Sequence, residues 1–315
     1  MFLKDKPEEI KMIRFDQLKN KPAMLKCLTG LTIEGFMALL PAFEVAYRAD
    51  VARRDAQRSA PRQRERGAGQ KGALPEMADK LVFILFYFRQ YPVQMAQGFF
   101  FGMGQPQAND WIHRLSPVLK AALGYDLQLP ARTPKDIKAV LESCPGLEFI
   151  IDGSERPIRR PQDKARQKTN YSGKKKRHTV KNNVITDKST GKIEGLSPTV
   201  EGKRHDKKLA DEQQVDFPEG SKLWKDTGFQ GYEPKHTETF QPTKKPKGRD
   251  LSPEEKSRNT AIAQERIAIE HTLGDVKVFR IVHDVFRNMR EGFDDLVIEI
   301  ACGLHNFRLD HPLTA

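Results

Sequence analysis

Twice in the second half of the chain a short apolar run ends in an acid: Glu148-Phe149-Ile150-Ile151-Asp152 and Lys222-Leu223-Trp224-Lys225-Asp226. Runs this short, rich in branched and aromatic residues, predict buried strands. An acid that terminates such a strand is carried to one edge of a sheet, where carboxylates from neighbouring strands converge. Two of them fit a fold that brings two strand ends together. Further strand patterns cover residues 178–186, 193–200 and 237–243, the last leading into the Pro/Lys/Gly-rich loop 242–250. Residues 206–213 read as a helix. A long helix is predicted from Pro253 to about residue 278, with Ser252 as its N-cap. Strands, then helix, strand and long helix describe an α/β layer architecture.

The long helix supplies a third acid. Arg266, Glu270 and Lys277 are spaced by four and seven residues, which puts all three on one helical face. The apolar stripe Ile262, Ile269, Leu273 and Val276 lies beside that face, so Glu270 sits at the margin of the buried side. Three converging carboxylates repel one another unless cations balance them. Mg²⁺ takes oxygen ligands and keeps waters and substrate phosphates in its shell. Two such ions about 3.5–4 Å apart can activate an attacking oxygen and stabilise a leaving one in phosphoryl transfer. On the residues alone a structural alternative stays open, with Asp152 and Asp226 as turn formers and Glu270 as an ion-pair partner of Arg266.

Charge adds a second constraint. The net charge is +12, with a sequence pI near 9.5, which favours an acidic partner such as nucleic acid without excluding a merely soluble basic protein. Its distribution says more. Residues 154–181 hold eleven Lys/Arg against two acids, and positive charge concentrated in this way is the footprint of a phosphate-binding surface. Residues 51–72 form a basic stretch containing Arg53, Arg54, Arg58, Arg62, Arg64, Arg66 and Lys71. Its Pro61, Gly67, Gly69 and Gly72 argue for a linker or arm with some helix at its start. No apolar run reaches the roughly 18–20 residues of a membrane span, and Met1-Phe2-Leu3-Lys4-Asp5 does not open a signal peptide. Cys27, Cys144 and Cys302 are too scattered for a zinc or disulfide pattern and read as reduced thiols. The expected compartment is cytosolic or nuclear.

The N-terminal part is helical in period. Residues 20–50 alternate at helical spacing, and a helix over 76–90 places Leu81, Ile84, Leu85 and Phe88 on one face. Pro92 suits the first turn of a second helix over 93–101. Gly102-Met103-Gly104 breaks the chain before a third helix carrying Gln107, Asn109, Trp111, Ile112 and Leu115. Two helices around a Gly-containing turn are the helix-turn-helix arrangement, and any small helical bundle reads the same way. Gln105, Gln107, Asn109 and His113 face either bases or water. The expected division is a helical segment and basic arm (1–72), a helix-turn-helix domain (73–130) and an α/β domain (131–315).

Several segments resemble a known family. Asp152-Gly153-Ser154-Glu155-Arg156-Pro157, Tyr171-Ser172-Gly173-Lys174-Lys175-Lys176-Arg177-His178 and Gly202-Lys203-Arg204-His205-Asp206 are similar to transposases of the insertion-sequence five family, relatives of the PIF/Harbinger transposases. The family's Asp-Thr/Ser-Gly-Tyr/Phe-x-Gly is matched by Asp226-Thr227-Gly228-Phe229-Gln230-Gly231. Its Tyr-x2-Arg-x3-Glu-x6-Lys is matched at Arg266, Glu270 and Lys277, while Ala263 stands at the tyrosine position and leaves that residue's role unsupported. The likeness runs over about residues 74–309, to the closing Gly303-Leu304-His305-Asn306-Phe307-Arg308.

What this resemblance implies is an RNase H-like catalytic domain with a mixed sheet, preceded by an all-α helix-turn-helix region. Asp152, Asp226 and Glu270 would ligate Mg²⁺, two ions with Mn²⁺ as substitute. The implied partners are double-stranded DNA, as terminal inverted repeats and target, and at least a second subunit, because two ends must be held together. The setting is bacterial cytoplasm at the nucleoid. Expected DNA contacts are Lys174, Lys175, Lys176 and Arg177 in the basic strip, Arg62 and Arg64 in the arm, and Gln107 and Asn109 on the third helix. Lys277 also fits a DNA contact, or else a helix-end lysine. Arg266 either contacts DNA or orients Glu270, the pair being slightly favoured. His205-Asp206 lies beside the family's active site, or simply opens a helix. Tyr171 and Trp224 stack on flanking bases or are buried aromatics. Asp187, Asp211 and Asp216 read as turn and surface acids. Glu265 rivals Glu270 but misses the spacing to Lys277. A domesticated DNA-binding regulator and a stand-alone nuclease are the alternatives to a cut-and-paste transposase.

Overall fold

The computed structural model describes residues 12–59 and 72–312, which fall into two compact units divided between Leu119 and Lys120. The first is helical: α1 (Phe15–Leu18), α2 (Pro22–Thr29), α3 (Ile33–Ala56), α4 (Met77–Gln90), α5 (Gln94–Phe101) and α6 (Gln105–Tyr125), within which the division falls. Thr32 caps α3 by accepting from the Gly35 N–H. Pro92 lies before α5 rather than in its first turn, and Val93 is the N-cap. Gly102 ends α5 at φ +69°, a left-handed conformation that glycine adopts without a Cβ penalty. The start of the basic arm continues α3 to Ala56, and Arg62 and Arg64 lie outside the described residues. Leu81, Ile84, Leu85 and Phe88 are fully buried, as their spacing predicts.

The second unit is a mixed sheet with helices on both faces, so the α/β expectation holds. After α7 (Pro134–Glu142) come β1 (Glu148–Pro157), α8 (Lys164–Asn170), β2 (Tyr171–Ser172), β3 (Arg177–Asp187), β4 (Ile193–Leu196), β5 (Val200–Glu201), α9 (Asp206–Gln213), β6 (Ser221–Lys225) and β7 (Thr237–Phe240). Helices α10 (Pro253–Lys277), α11 (Arg280–His283) and α12 (Phe293–Asp310) complete it. The strand order is β2-β3-β1-β6-β7, with β4 and β5 also on β3. β1 is antiparallel to β3 and parallel to β6. The single strand expected over 193–200 is two short ones, interrupted at Ser197-Pro198-Thr199.

Alternation along β1 sorts its side chains between two layers. Phe149 and Ile151 join Ile137 and Leu141 of α7 and Ala210 of α9 in one core cluster. Ile150 and Asp152 have the opposite parity, toward α10, which packs on β1 and β6. Helix α10 begins with the expected cap. The Ser252 hydroxyl accepts from the Glu255 N–H (3.2 Å), Glu255 accepts from the Ser252 N–H (2.8 Å), and Arg249 forks onto both Glu255 oxygens (2.8 Å each). Ile262, Ile269, Leu273 and Val276 are its buried stripe. Among the described residues no single helix is long and apolar enough to cross a membrane.

Candidate active site

Each acid owes its place to the local pairing. β1 runs beside β6 only from Glu148 to Ile151, but stays paired with β3 as far as Pro157. Asp152 is therefore not the end of its strand, as its apolar run suggested. It is the first residue beyond the parallel neighbour, where the sheet opens. Asp226 follows the last residue of β6 and caps the turn Thr227–Phe229, its Oδ1 accepting from the Gly228 N–H at 2.6 Å. The Gln241 side-chain amide donates to the Asp226 carbonyl (2.5 Å) and ties that turn to the segment after β7. One residue back, the fully buried Lys225 donates to the Tyr232 carbonyl and pairs with Glu233 (2.7 Å), which fixes the turn from beneath. Glu270, exposed beside the buried Ile269, comes from α10.

Asp152, Asp226 and Glu270 line one cavity of about 750 Å³, together with Lys174, Lys175, Arg266 and Lys277. Burial, reinforced by the Asp226 and Asp206 carboxylates, pushes the Asp152 carboxyl up to about 6 against the opposing pull of Arg266. Burial and the neighbouring Lys175 lower the Lys277 ammonium from its usual value. The cavity thus holds both acids and amines in its lining. Each set gains from a counter-charge that the other does not fully supply.

Other expected residues fall in several places. Arg266 Nη2 lies 3.7 Å from Asp152 Oδ1, whereas no ion pair with Glu270 is formed among the described residues. The i,i+4 expectation is replaced by a longer reach, from helix to strand. Glu265 pairs with Lys188 (2.8 Å) and does not line the cavity. Trp224 is buried, stacked on Phe240 at 4.9 Å and covered by the Lys188 ammonium at 4.2 Å, which removes it as a base-stacking platform. Tyr171 is 45% exposed and lines the cavity. Lys174, Lys175 and Lys176 are exposed in the turn between β2 and β3, but Lys176 does not line the cavity. Arg177 lines an adjoining cavity of about 260 Å³ that shares Lys175 and Lys277. In the helical unit Gln107 is exposed, while the Asn109 side-chain oxygen accepts from Gln94 (2.8 Å). Asp187 is buried in its turn, and the surface acids Asp211 and Asp216 pair with Lys207 and Lys138.

The basic strip concealed one distinction. Arg156 and Lys181 count among its eleven cations, yet both are buried, Arg156 donating to the Asp294 carbonyl (3.1 Å) and Lys181 lying 2.9 Å from Asp206 and 3.4 Å from Glu155. The strand period contains the signal, because Lys181 faces Glu155 across the β1–β3 ladder. His205 is the N-cap residue of α9 and lines the cavity, as does Asp206, the first residue of that helix.

Residues 151–306 match the profile of the DDE superfamily endonucleases, so the match opens at β1 and closes within α12. Such endonucleases are metal-dependent, and the carboxylates of this cavity suit a hard divalent cation. The chain is also 29% identical over 233 residues to a probable transposase for insertion sequence element IS702 of Microchaete diplosiphon, covering 73% of this chain and 80% of that protein. No solved structure gives a significant match.

Proposed function

We propose that this chain, an enzyme of the DDE transposase class, binds the terminal inverted repeats of its own element, cleaves the ends and joins the freed 3′-hydroxyls to target DNA. The observation that carries this reading is that Asp152, Asp226 and Glu270 line one cavity together with several lysines. The three carboxylates would hold Mg²⁺, or Mn²⁺ in its place, as two ions. Cations so held supply an activated attacking oxygen and a stabilised leaving one. Arg266 keeps the Asp152 carboxylate turned into the cavity. Lys175 and Lys277 receive the phosphate, whose negative charge relieves their mutual repulsion. The exposed turn Lys174-Lys175-Lys176 and the neighbouring Arg177 follow the backbone away from the cut.

The order β2-β3-β1-β6-β7, antiparallel on one side of β1 and parallel on the other, supports an RNase H-like fold. Helix α5, the turn at Gly102 and helix α6 support a helix-turn-helix that reads the repeats. The motifs at 226–231 and 266–277 support the insertion-sequence five assignment. Two ends per element call for at least two subunits. The test is incubation with labelled repeat ends and a plasmid in Mg²⁺. Integration of the ends is the expected result. Cleavage without joining would reduce the protein to a nuclease, and a shift without cleavage would leave a DNA-binding regulator.

A further inference from the structure

Asp152 and Asp226 are each followed closely by a glycine on which a Cβ would meet an aspartate carboxylate. A Cβ on Gly153 would stand 2.6 Å from Asp206 Oδ1. A Cβ on Gly228 would stand 2.6 Å from Asp206 Oδ2 and 2.8 Å from Asp226 Oδ1. These approaches are far inside van der Waals contact, so a third aspartate fills the room that the two glycines leave. Its oxygen and that of Asp226 flank one and the same point. Two carboxylates this close repel in the absence of a cation.

Asp206 reaches this position from its own side of the sheet. Helix α9 packs on the Phe149–Ile151 face through Ala210, and Gly153 shares that parity. Glu270 comes from α10 on the other face. The Asp206 carboxylate is held but not saturated. Its backbone carbonyl accepts from Asn183 (3.0 Å). Lys181 Nζ lies 2.9 Å from Oδ1, yet this buried oxygen receives no well-directed hydrogen bond.

We propose that Asp206 is a fourth carboxylate of the cation site, completing from the α9 face the set that Asp152, Asp226 and Glu270 form. This rests on the metal-binding reading of the cavity. Lys181 orients Asp206 and, with Glu155 3.4 Å away as its second acid, can shift toward Glu155 when a cation takes up the Asp206 charge. Gly153 and Gly228 are then parts of the site, because they admit the fourth acid.

The test is Mn²⁺ binding by the full chain, read by electron paramagnetic resonance without a turnover assay. Asp206→Asn keeps the shape and the backbone contact to Asn183, and Lys181 keeps Glu155. The expected result is a loss of Mn²⁺ affinity of about 10–100-fold, the range for removing a supporting metal-site group, with the metal-free unfolding midpoint close to wild type. Should that variant fold poorly, Asp206→Asn with Lys181→Gln removes both buried charges together and must show the same loss. Wild-type Mn²⁺ affinity in either folded variant overturns the proposal. Asp152→Asn is the control. If it too binds Mn²⁺ normally, the metal-site reading of the whole cavity fails, a result distinct from failure of Asp206 alone.

Discussion

The two units treat their polar side chains in opposite ways. In the helical unit they are closed on one another. Asp50, 8% exposed at its side chain, takes Arg53 (2.6 Å), Arg54 (2.9 Å) and Arg114 (3.0 Å). The Arg114 guanidinium lies over both Tyr47 (4.7 Å) and Trp111 (5.2 Å). Gln94 accepts from Gln105 (2.7 Å) and donates to Asn109 (2.8 Å). In the sheet unit, by contrast, Asp152, Asp206 and Asp226 are gathered with their charges only partly balanced. The first arrangement lowers the energy of the unit that contains it. The second leaves one carboxyl, that of Asp152, pushed up to about 6 by burial beside the other two acids, and a shifted group in a cleft is a mark of a functional site.

The contrast fails first if the acids prove replaceable. Glu270→Ala should cut end cleavage by on the order of a thousandfold, several kcal/mol of transition-state stabilisation, while Glu265→Ala, which loses only its pair with Lys188, stays near wild type. Rates on a labelled repeat duplex measure both. Cleavage surviving in the Glu270 variant would remove that acid from the site.

A smaller effect is expected from the closed network. Arg114→Ala strips a charge partner from the buried Asp50 and a cation from two aromatic faces. The expected loss is about 2–3 kcal/mol of stability, visible as a lower urea midpoint, with no change in cleavage by the folded protein. A midpoint unchanged from wild type would mean that the network is ornamental.

The smallest effect separates two neighbours on α6. Gln107 is free to reach a base edge, and its replacement by Ala should reduce repeat-over-random discrimination by about 1 kcal/mol, the lower end for a base contact. Asn109→Ala, whose oxygen already accepts from Gln94, should alter discrimination less and stability more. Competition binding with repeat and scrambled duplexes, run beside thermal melts, reads both. Equal losses of discrimination would show that Asn109 leaves Gln94 when DNA arrives.

What could be read in advance follows the same contrast. Period and end signals placed α9, β6 and α10 within a residue or so, because apolar alternation and a Ser-Pro-Glu-Glu start are local facts. Asp152, Asp226 and Glu270, which line the cavity, lie in or beside such local patterns for the same reason. The extent of β1 was not, because whether Gly153–Pro157 remain extended depends on β3, which lies more than twenty residues later. Nor was the partner of Arg266. Spacing along a helix names the residues that share a face, here Glu270, but it does not show that a strand carries Asp152 closer. For a related reason Trp224 stayed open between stacking and burial, and the buried Lys181 was counted with the basic strip. Composition counts an aromatic or a cation without saying which side of the sheet it faces.

The locked start of α10 has a consequence for how its gene can change. Glu270 stands fifteen residues beyond Glu255, about 22 Å along the axis at 1.5 Å per residue, and the cap with Arg249 fixes the point from which those turns are counted. One codon inserted or deleted between them would swing Glu270 through about 100° and carry it off the cavity, even where the helix still forms. The same length change in the loop 242–250, ahead of the cap, would leave that angle untouched. Frame-preserving insertions and deletions should therefore separate sharply at Ser252, tolerated just before it and silencing just after.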